Sequence, residues 1–197
     1  MTYIDFHTHQ VAADQDIVAV VDGRDTWGIH PWRADQDYAL PDLSDKLAIG
    51  ECGLDALRGP SMSVQEEVFV RQIRLSEELE KPLVIHCVKA LDRLLYLRKL
   101  LNPKQSWMFH GFRGKPQQLQ SLVEAGFYVS FGFQHNGESL LLCPTERLML
   151  ETDADSEHSI VEIYRKVARE RGLELSTLCS SMAENYRTFF RKDLLQT

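Results

Sequence analysis

The residue types that could do chemistry here are imidazole and carboxylate. His7 and His9 close the run Ile4-Asp5-Phe6-His7-Thr8-His9. In a strand, side chains alternate faces with period two, so the pair projects to one side and can grip one ion. An isolated pair of this kind is more often solvated, or buried and satisfied by hydrogen bonds, so partners must come from elsewhere. His30, Glu51, His86, His110 and Asp153 each stand at or just past the end of a short apolar run. Five of the seven histidines fall at such ends, a concentration that scatter over surface loops does not produce. His135 and His158 read as ordinary loop residues. Imidazole and carboxylate suit zinc, manganese and related ions, and a carboxylate can bridge two ions held close together. Glu51, in Ile49-Gly50-Glu51-Cys52-Gly53-Leu54-Asp55, is the candidate bridge, with glycines that let backbone approach the site closely.

Elements must position these groups. Apolar runs at 3–8, 17–21, 26–30, 46–51, 82–87, 106–111, 126–132 and 147–152 read as strands, several of them separated by helical patterns. That is the βαβ rhythm of a parallel sheet or barrel. Eight strands predict an α/β fold of the (β/α)8 TIM-like barrel class, in which active sites form at the C-terminal strand ends. The clearest helix follows the fourth strand. Ser63 and Glu66 make a capping box, Val64, Val68, Ile73, Leu75 and Leu79 mark a buried stripe, and Lys81-Pro82 stops it. Further helices are expected at 90–101, 115–125, 158–171 and 176–190. Only Asp22-Gly23-Arg24-Asp25 separates the second and third strands, whereas a parallel crossover needs roughly a dozen residues. Residues 17–21 should therefore run antiparallel through the Asp-Gly turn or lie outside the barrel. Such barrels typically need about 250 residues, so the first quarter should be trimmed or distorted, with outer helices missing.

Composition sets bounds on the partners. A chain of 197 residues, 44% apolar and 26% charged, with no repeat or linker, is expected to form one domain over 1–197. A net charge of -7 argues against a broad basic nucleic-acid-binding face, though metal ions can make a local pocket positive. No apolar run reaches the roughly 18 residues of a membrane span, and the first residues do not resemble a signal peptide. The expectation is a cytoplasmic protein without membrane contact or an obligate protein partner. Cys52, Cys87, Cys143 and Cys179 are far apart without a C-x-x-C motif, which disfavours disulfides and structural zinc.

With these motifs in hand, the chain resembles the TatD-type deoxyribonuclease family of the metal-dependent amidohydrolase superfamily. The resemblance runs through Ile4-Asp5-Phe6-His7-Thr8-His9, Gly28-Ile29-His30-Pro31, the Glu51 motif, Val84-Ile85-His86, Phe109-His110-Gly111-Phe112-Arg113-Gly114, Leu150-Glu151-Thr152-Asp153 and Glu184-Asn185-Tyr186-Arg187. It implies two divalent ions, whether zinc, manganese or magnesium. One would be held by His7, His9, Glu51 and Asp153, the other by Glu51, His86 and His110. It implies hydrolysis of phosphodiester bonds, in DNA or a smaller phosphodiester, by a metal-activated water, with Glu51 and Asp153 in catalytic roles. Asp153 would orient the water or take its proton as well as ligating. His30 is a candidate substrate contact or support for the ligands.

Departures from the family pattern bear on substrate. Cys87-Val88-Lys89 stands where the family commonly has Ser-Arg-Asp, so Arg113 or Lys89 is the candidate to grip phosphate. Trp32 replaces a histidine, and its indole can stack on a base or sugar. Past Asp153 the usual proline and long loop are missing. Two other readings follow: hydrolysis of a small amide, lactone or ester, and a non-catalytic metal-binding or partner-binding module. The last is disfavoured because every ligand position is filled.

Overall fold

The computed structural model describes residues 1–12 and 14–194. All eight expected strands form. They are β1 (Tyr3–Thr8), β2 (Ile17–Val21), β3 (Thr26–Trp27), β4 (Ala48–Asp55), β5 (Leu83–Val88), β6 (Trp107–Phe109), β7 (Tyr128–Phe131) and β8 (Leu148–Leu150). The helices are α1 (Met62–Glu78), α2 (Leu91–Leu101), α3 (Pro116–Glu124), α4 (Gly137–Leu142), α5 (Ile160–Arg171) and α6 (Leu175–Phe190). Among the described residues, one 3-10 turn at Pro31–Arg33 is the sole helical segment before β4, so the first quarter lacks its outer helices as expected. The short α4 has no counterpart in the sequence reading. Asn136 caps it by accepting from the Ser139 amide.

Two compact units divide the chain, Met1–Val21 with His110–Thr197, and Asp22–Phe109. In the first, β1 pairs with β2 and β7 with β8, both in parallel. β2 thus pairs in parallel with β1, where the sequence left 17–21 either antiparallel through the Asp-Gly turn or outside the barrel; the described residues of the link between them, 9–12 and 14–16, hold no helix. Buried aromatic and aliphatic side chains of α5 and α6 cover β1. Tyr164 on α5 clamps it, its hydroxyl donating to the Ile4 carbonyl and accepting from the Ile4 amide, both at 3.0 Å. Asn185 on α6 donates to the Thr145 and Leu148 carbonyls at 2.8 and 2.7 Å, which fixes the entry to β8. That gives the Glu184-Asn185-Tyr186-Arg187 motif a structural role.

In the second unit β3, β4, β5 and β6 pair in that order, all parallel. The helix after β4 forms, with corrected detail. Ser61 is its N-cap residue, Ser63 lies inside it, and Glu66 pairs with Arg93. Its buried face is Gln65, Phe69, Gln72, Ile73 and Ser76, so only Ile73 of the expected stripe is there. The two buried glutamines explain the difference, because each serves strand-end backbone that would otherwise lack partners. Gln72 accepts from the Ile29 amide at 2.6 Å and donates to the Ile29 carbonyl at 3.0 Å. Gln65 accepts from the Asp55 amide at 2.7 Å and donates to its carbonyl at 2.9 Å.

Candidate metal centre

In the first unit, Asp153 gathers the histidines. Thr8 and Asp153 form an isolated parallel bridge beyond the end of β8. The Asp153 amide donates to the His7 carbonyl at 3.0 Å, and the His9 amide to the Asp153 carbonyl at 3.3 Å. His7 lies on a register irregularity of β1 between Asp5 and Thr8, and His9 lies past the strand end. Strand alternation alone therefore does not bring the pair together; the bridge to Asp153 does. The carboxylate Oδ1 of Asp153 is 3.6 Å from His7 Nε2 and 3.5 Å from His9 Nε2. The His7 and His110 rings are 4.6 Å apart. His7, His110 and Asp153 offer ligand atoms within 4.8 Å of one another.

These separations are what a shared ion requires. Two donors on a tetrahedral ion at about 2.1 Å stand about 3.4 Å apart, too far for a good hydrogen bond and right for common ligation. The donor set, imidazole with carboxylate, matches zinc and manganese chemistry. His7 and His110 are buried, whereas His9 is exposed.

Two residues outside the sequence reading hold this arrangement. Asp5, buried in β1, accepts from the Thr152 amide at 3.0 Å and the Thr152 hydroxyl at 2.6 Å, tying β1 to the segment that carries Asp153. Burial pushes its carboxyl up to about 7 against the pull of those bonds. Glu151 is fully buried and accepts from the Gly111 amide, with Oε1 3.8 Å from His110 Nδ1. Burial works against its charged form, yet His110 and His7 beside it hold its carboxyl below the ordinary range. The signal for both was their place next to Thr152 and Asp153 or in the His7 motif, but sequence cannot tell a carboxylate facing an ion from one facing an amide.

In the second unit the imidazole–carboxylate contacts are closer. His30 Nε2 is 3.2 Å from Glu51 Oε2, and His86 Nε2 is 3.1 Å from Asp55 Oδ2. His30, Glu51 and His86 offer ligand atoms within 4.8 Å of one another. Because His30 Nδ1 accepts from the Trp32 amide at 3.2 Å, the ring proton of neutral His30 sits on Nε2, facing Glu51. His86 presents Nε2 to Asp55, the contact of a carboxylate that orients an imidazole. The same Asp55 oxygen accepts from the Trp32 indole at 2.6 Å, and the Leu57 and Arg58 amides donate to the other. Burial opposes that charge, but these donors keep the Asp55 carboxyl below its usual range. Arg58 stacks over the Trp32 ring at 4.8 Å.

Backbone crowding fixes Glu51. β4 carries one extra residue against β5 between Ile49 and Cys52, a bulge at Gly50-Glu51 that re-aims the side chain. A Cβ on Gly53 would meet the His86 carbonyl oxygen at 2.1 Å, so only glycine permits this approach.

Arg113 is exposed on the wall of a hollow of 390 Å³ that reaches Asp153. Among the described residues its guanidinium makes no hydrogen bond or ion pair. Lys89 is exposed, in the left-handed region at φ 52°. His135 and His158, expected as loop residues, lie there and pair with Glu170 and Asp155.

Comparison with known proteins decides the family. The model described as TatD related DNase matches residues 15–191. The chain belongs to the TatD-related DNase family. The enzyme class follows: a metal-dependent hydrolase of deoxyribonuclease type. The match begins after His7 and His9, so this pair rests on its own geometry. A 3'-5' ssDNA/RNA exonuclease TatD of Citrobacter rodentium is 39% identical over 147 residues, covering 66% of this chain and 56% of that protein. The protein of that name from Escherichia coli K12 is 30% identical over 199 residues, covering 84% and 76%. Two solved structures share the fold: the TatD homolog YJJV of Escherichia coli K12, with TM-score 0.74 at 18% identity over 91% of this chain and 79% of that one, and a TatD family hydrolase of Entamoeba histolytica, with TM-score 0.71 at 18% identity over 92% and 75%. The fold is thus the α/β, TIM-like barrel of this family. No helix among the described residues is long and apolar enough to cross a membrane.

Proposed function

We propose that this protein hydrolyses phosphodiester bonds in single-stranded nucleic acid, DNA foremost, at a centre of two divalent ions. His7, His9, Glu51 and Asp153 would hold one, and Glu51, His86 and His110 the other, with Glu51 shared. The observation that carries the reading is the spacing of His7, His9 and Asp153, 3.5 and 3.6 Å, in a chain of this family. The activity named for its relatives, 3'-5' on ssDNA and RNA, supplies the expected polymer and polarity. Both units would belong to one catalytic domain, since the family match runs through both. Four cysteines without a disulfide suit a cytoplasmic setting.

The ions, when bound, lower the pKa of water and offset charge on the phosphoryl oxygens. The chain's own groups do the rest. Asp153, partly exposed where the hollow begins, orients the attacking water and takes its proton. Arg113 grips a non-bridging phosphate oxygen with its uncommitted guanidinium. His30 supports Glu51 through Nε2, and Trp32 offers its ring edge to a base or sugar while its N–H stays with Asp55.

A panel of single-stranded DNA, RNA, bis-p-nitrophenyl phosphate and simple esters, each with manganese, magnesium or zinc, tests the proposal. Turnover of the phosphodiesters with DNA preferred is expected. Turnover of esters alone sinks it.

A further inference from the structure

The hollow lined by Asp153 and Arg113 also holds an aromatic pair. Phe133 and His158 both line it and stack flat, with centroids 3.5 Å apart and planes at 11°. Asp155 Oδ2, 2.9 Å from His158 Nδ1, holds the imidazole in place. Phe133 also lines a second hollow of 430 Å³ along α5, with Arg165, Lys166, Arg169, Glu162 and Glu170. The two acids there are engaged. Glu162 closes the capping box with Ser159, and Glu170 pairs with His135 at 2.8 Å and Lys166 at 3.9 Å. Lys166 donates to the Phe133 carbonyl at 2.5 Å and sits 4.4 Å from the ring centroid. Arg165 and Arg169 are exposed on the same helix. Three cations, Arg165, Lys166 and Arg169, thus stand beside an aromatic that also lines the hollow of Asp153 and Arg113.

We propose that the two hollows form one path for a single-stranded polynucleotide. The terminal nucleotide occupies the first, with its phosphate at Arg113 and Asp153. The next base stacks on the outer face of His158, which Phe133 backs from the other side, and the backbone follows Arg165, Lys166 and Arg169. The chemistry is the usual one for single strands: an aromatic platform beside a cationic groove that tracks phosphates. The path rests on the nuclease reading and adds a preference for length, since the methyl ester of a nucleoside 5'-monophosphate has a terminal nucleotide for the first hollow but no second base for the aromatic pair and no backbone for the second hollow.

The test compares kcat/KM for a single strand of about ten nucleotides with that for the methyl ester of a nucleoside 5'-monophosphate. It uses the wild type, Arg165→Ala/Arg169→Ala and Phe133→Ala, with thermal unfolding to check each fold. The wild type should favour the longer strand by about tenfold or more, the worth of one stacked base. Both variants should lose most of that ratio. The double variant should also flatten the salt dependence of 1/KM by about 1.4 in log–log slope, two phosphate contacts at about 0.7 each. A wild type that cuts both substrates equally, or variants that keep the full ratio and slope, would overturn the path and leave the nuclease reading standing. A wild type that cuts neither would overturn both.

Discussion

The two halves of the candidate ligand set are built differently. Around Asp153 the carboxylate stands 3.5 and 3.6 Å from two imidazole nitrogens, the spacing of groups arranged about a common point. Around Glu51 the imidazoles are already engaged, His30 with Glu51 at 3.2 Å and His86 with Asp55 at 3.1 Å. The first half is a set of candidate ligands held by backbone, through the Thr8–Asp153 bridge and the Asp5–Thr152 bonds. The second is oriented by side chains, with Asp55 accepting from Trp32, His86 and two amides. Backbone holds a ligand rigidly whatever its protonation. A carboxylate behind a histidine fixes its tautomer and raises its basicity.

The comparison breaks hardest where a ligand is lost. Asp153→Asn and Glu51→Ala should each lower kcat/KM by about 10³-fold, on the order of 4 kcal/mol, while circular dichroism stays native. Turnover retained by either variant would remove that residue from the centre. Metal content separates the halves next. The wild type should carry two ions per chain by mass spectrometry, and His7→Ala one; none after purification with added zinc or manganese would end the metal reading.

The oriented half should respond to its orienting residue. Asp55→Asn is expected to weaken metal affinity by about 10–100-fold, read by chelator competition. An unchanged affinity would mean that the Asp55–His86 contact is merely structural. Gln72→Leu leaves the Ile29 amide and carbonyl without their side-chain partner, and should cost about 2 kcal/mol in urea unfolding with metal content intact. Smallest is Trp32→Phe, which removes one of four donors to Asp55 and should weaken affinity by only about two- to threefold, under 1 kcal/mol.

Much of the site was legible because its residue types are rare in combination. Histidine and carboxylate at the ends of short apolar runs named His7, His9, His30, Glu51, His86, His110 and Asp153. What stayed hidden were the groups that position them. Gln65 and Gln72 interrupt the apolar stripe of α1, and a hydrophobic pattern cannot anticipate an amide buried to serve the backbone. Asp5, Asp55 and Glu151 read as ordinary members of their motifs, since a carboxylate's partner is a matter of distance. The parallel pairing of β2 with β1 escaped for a related reason: the short Asp22–Asp25 link bears only on the strand that follows, and which strand β2 pairs with is set by tertiary placement.

The sequence by itself determined the order of the strands, the family and the candidate ligands, because periodicity, turn residues and motif chemistry are local properties. Tertiary structure decided which histidine stands at hydrogen-bond distance from a carboxylate and which at the wider spacing that common ligation of an ion would need. His7 and His9 meet at Asp153 through a bridge between β1 and the segment after β8, two stretches that lie far apart along the chain. Whether an imidazole and a carboxylate stand 3.1 or 3.6 Å apart separates a hydrogen bond from shared ligation, and spacing along the sequence carries no such distance.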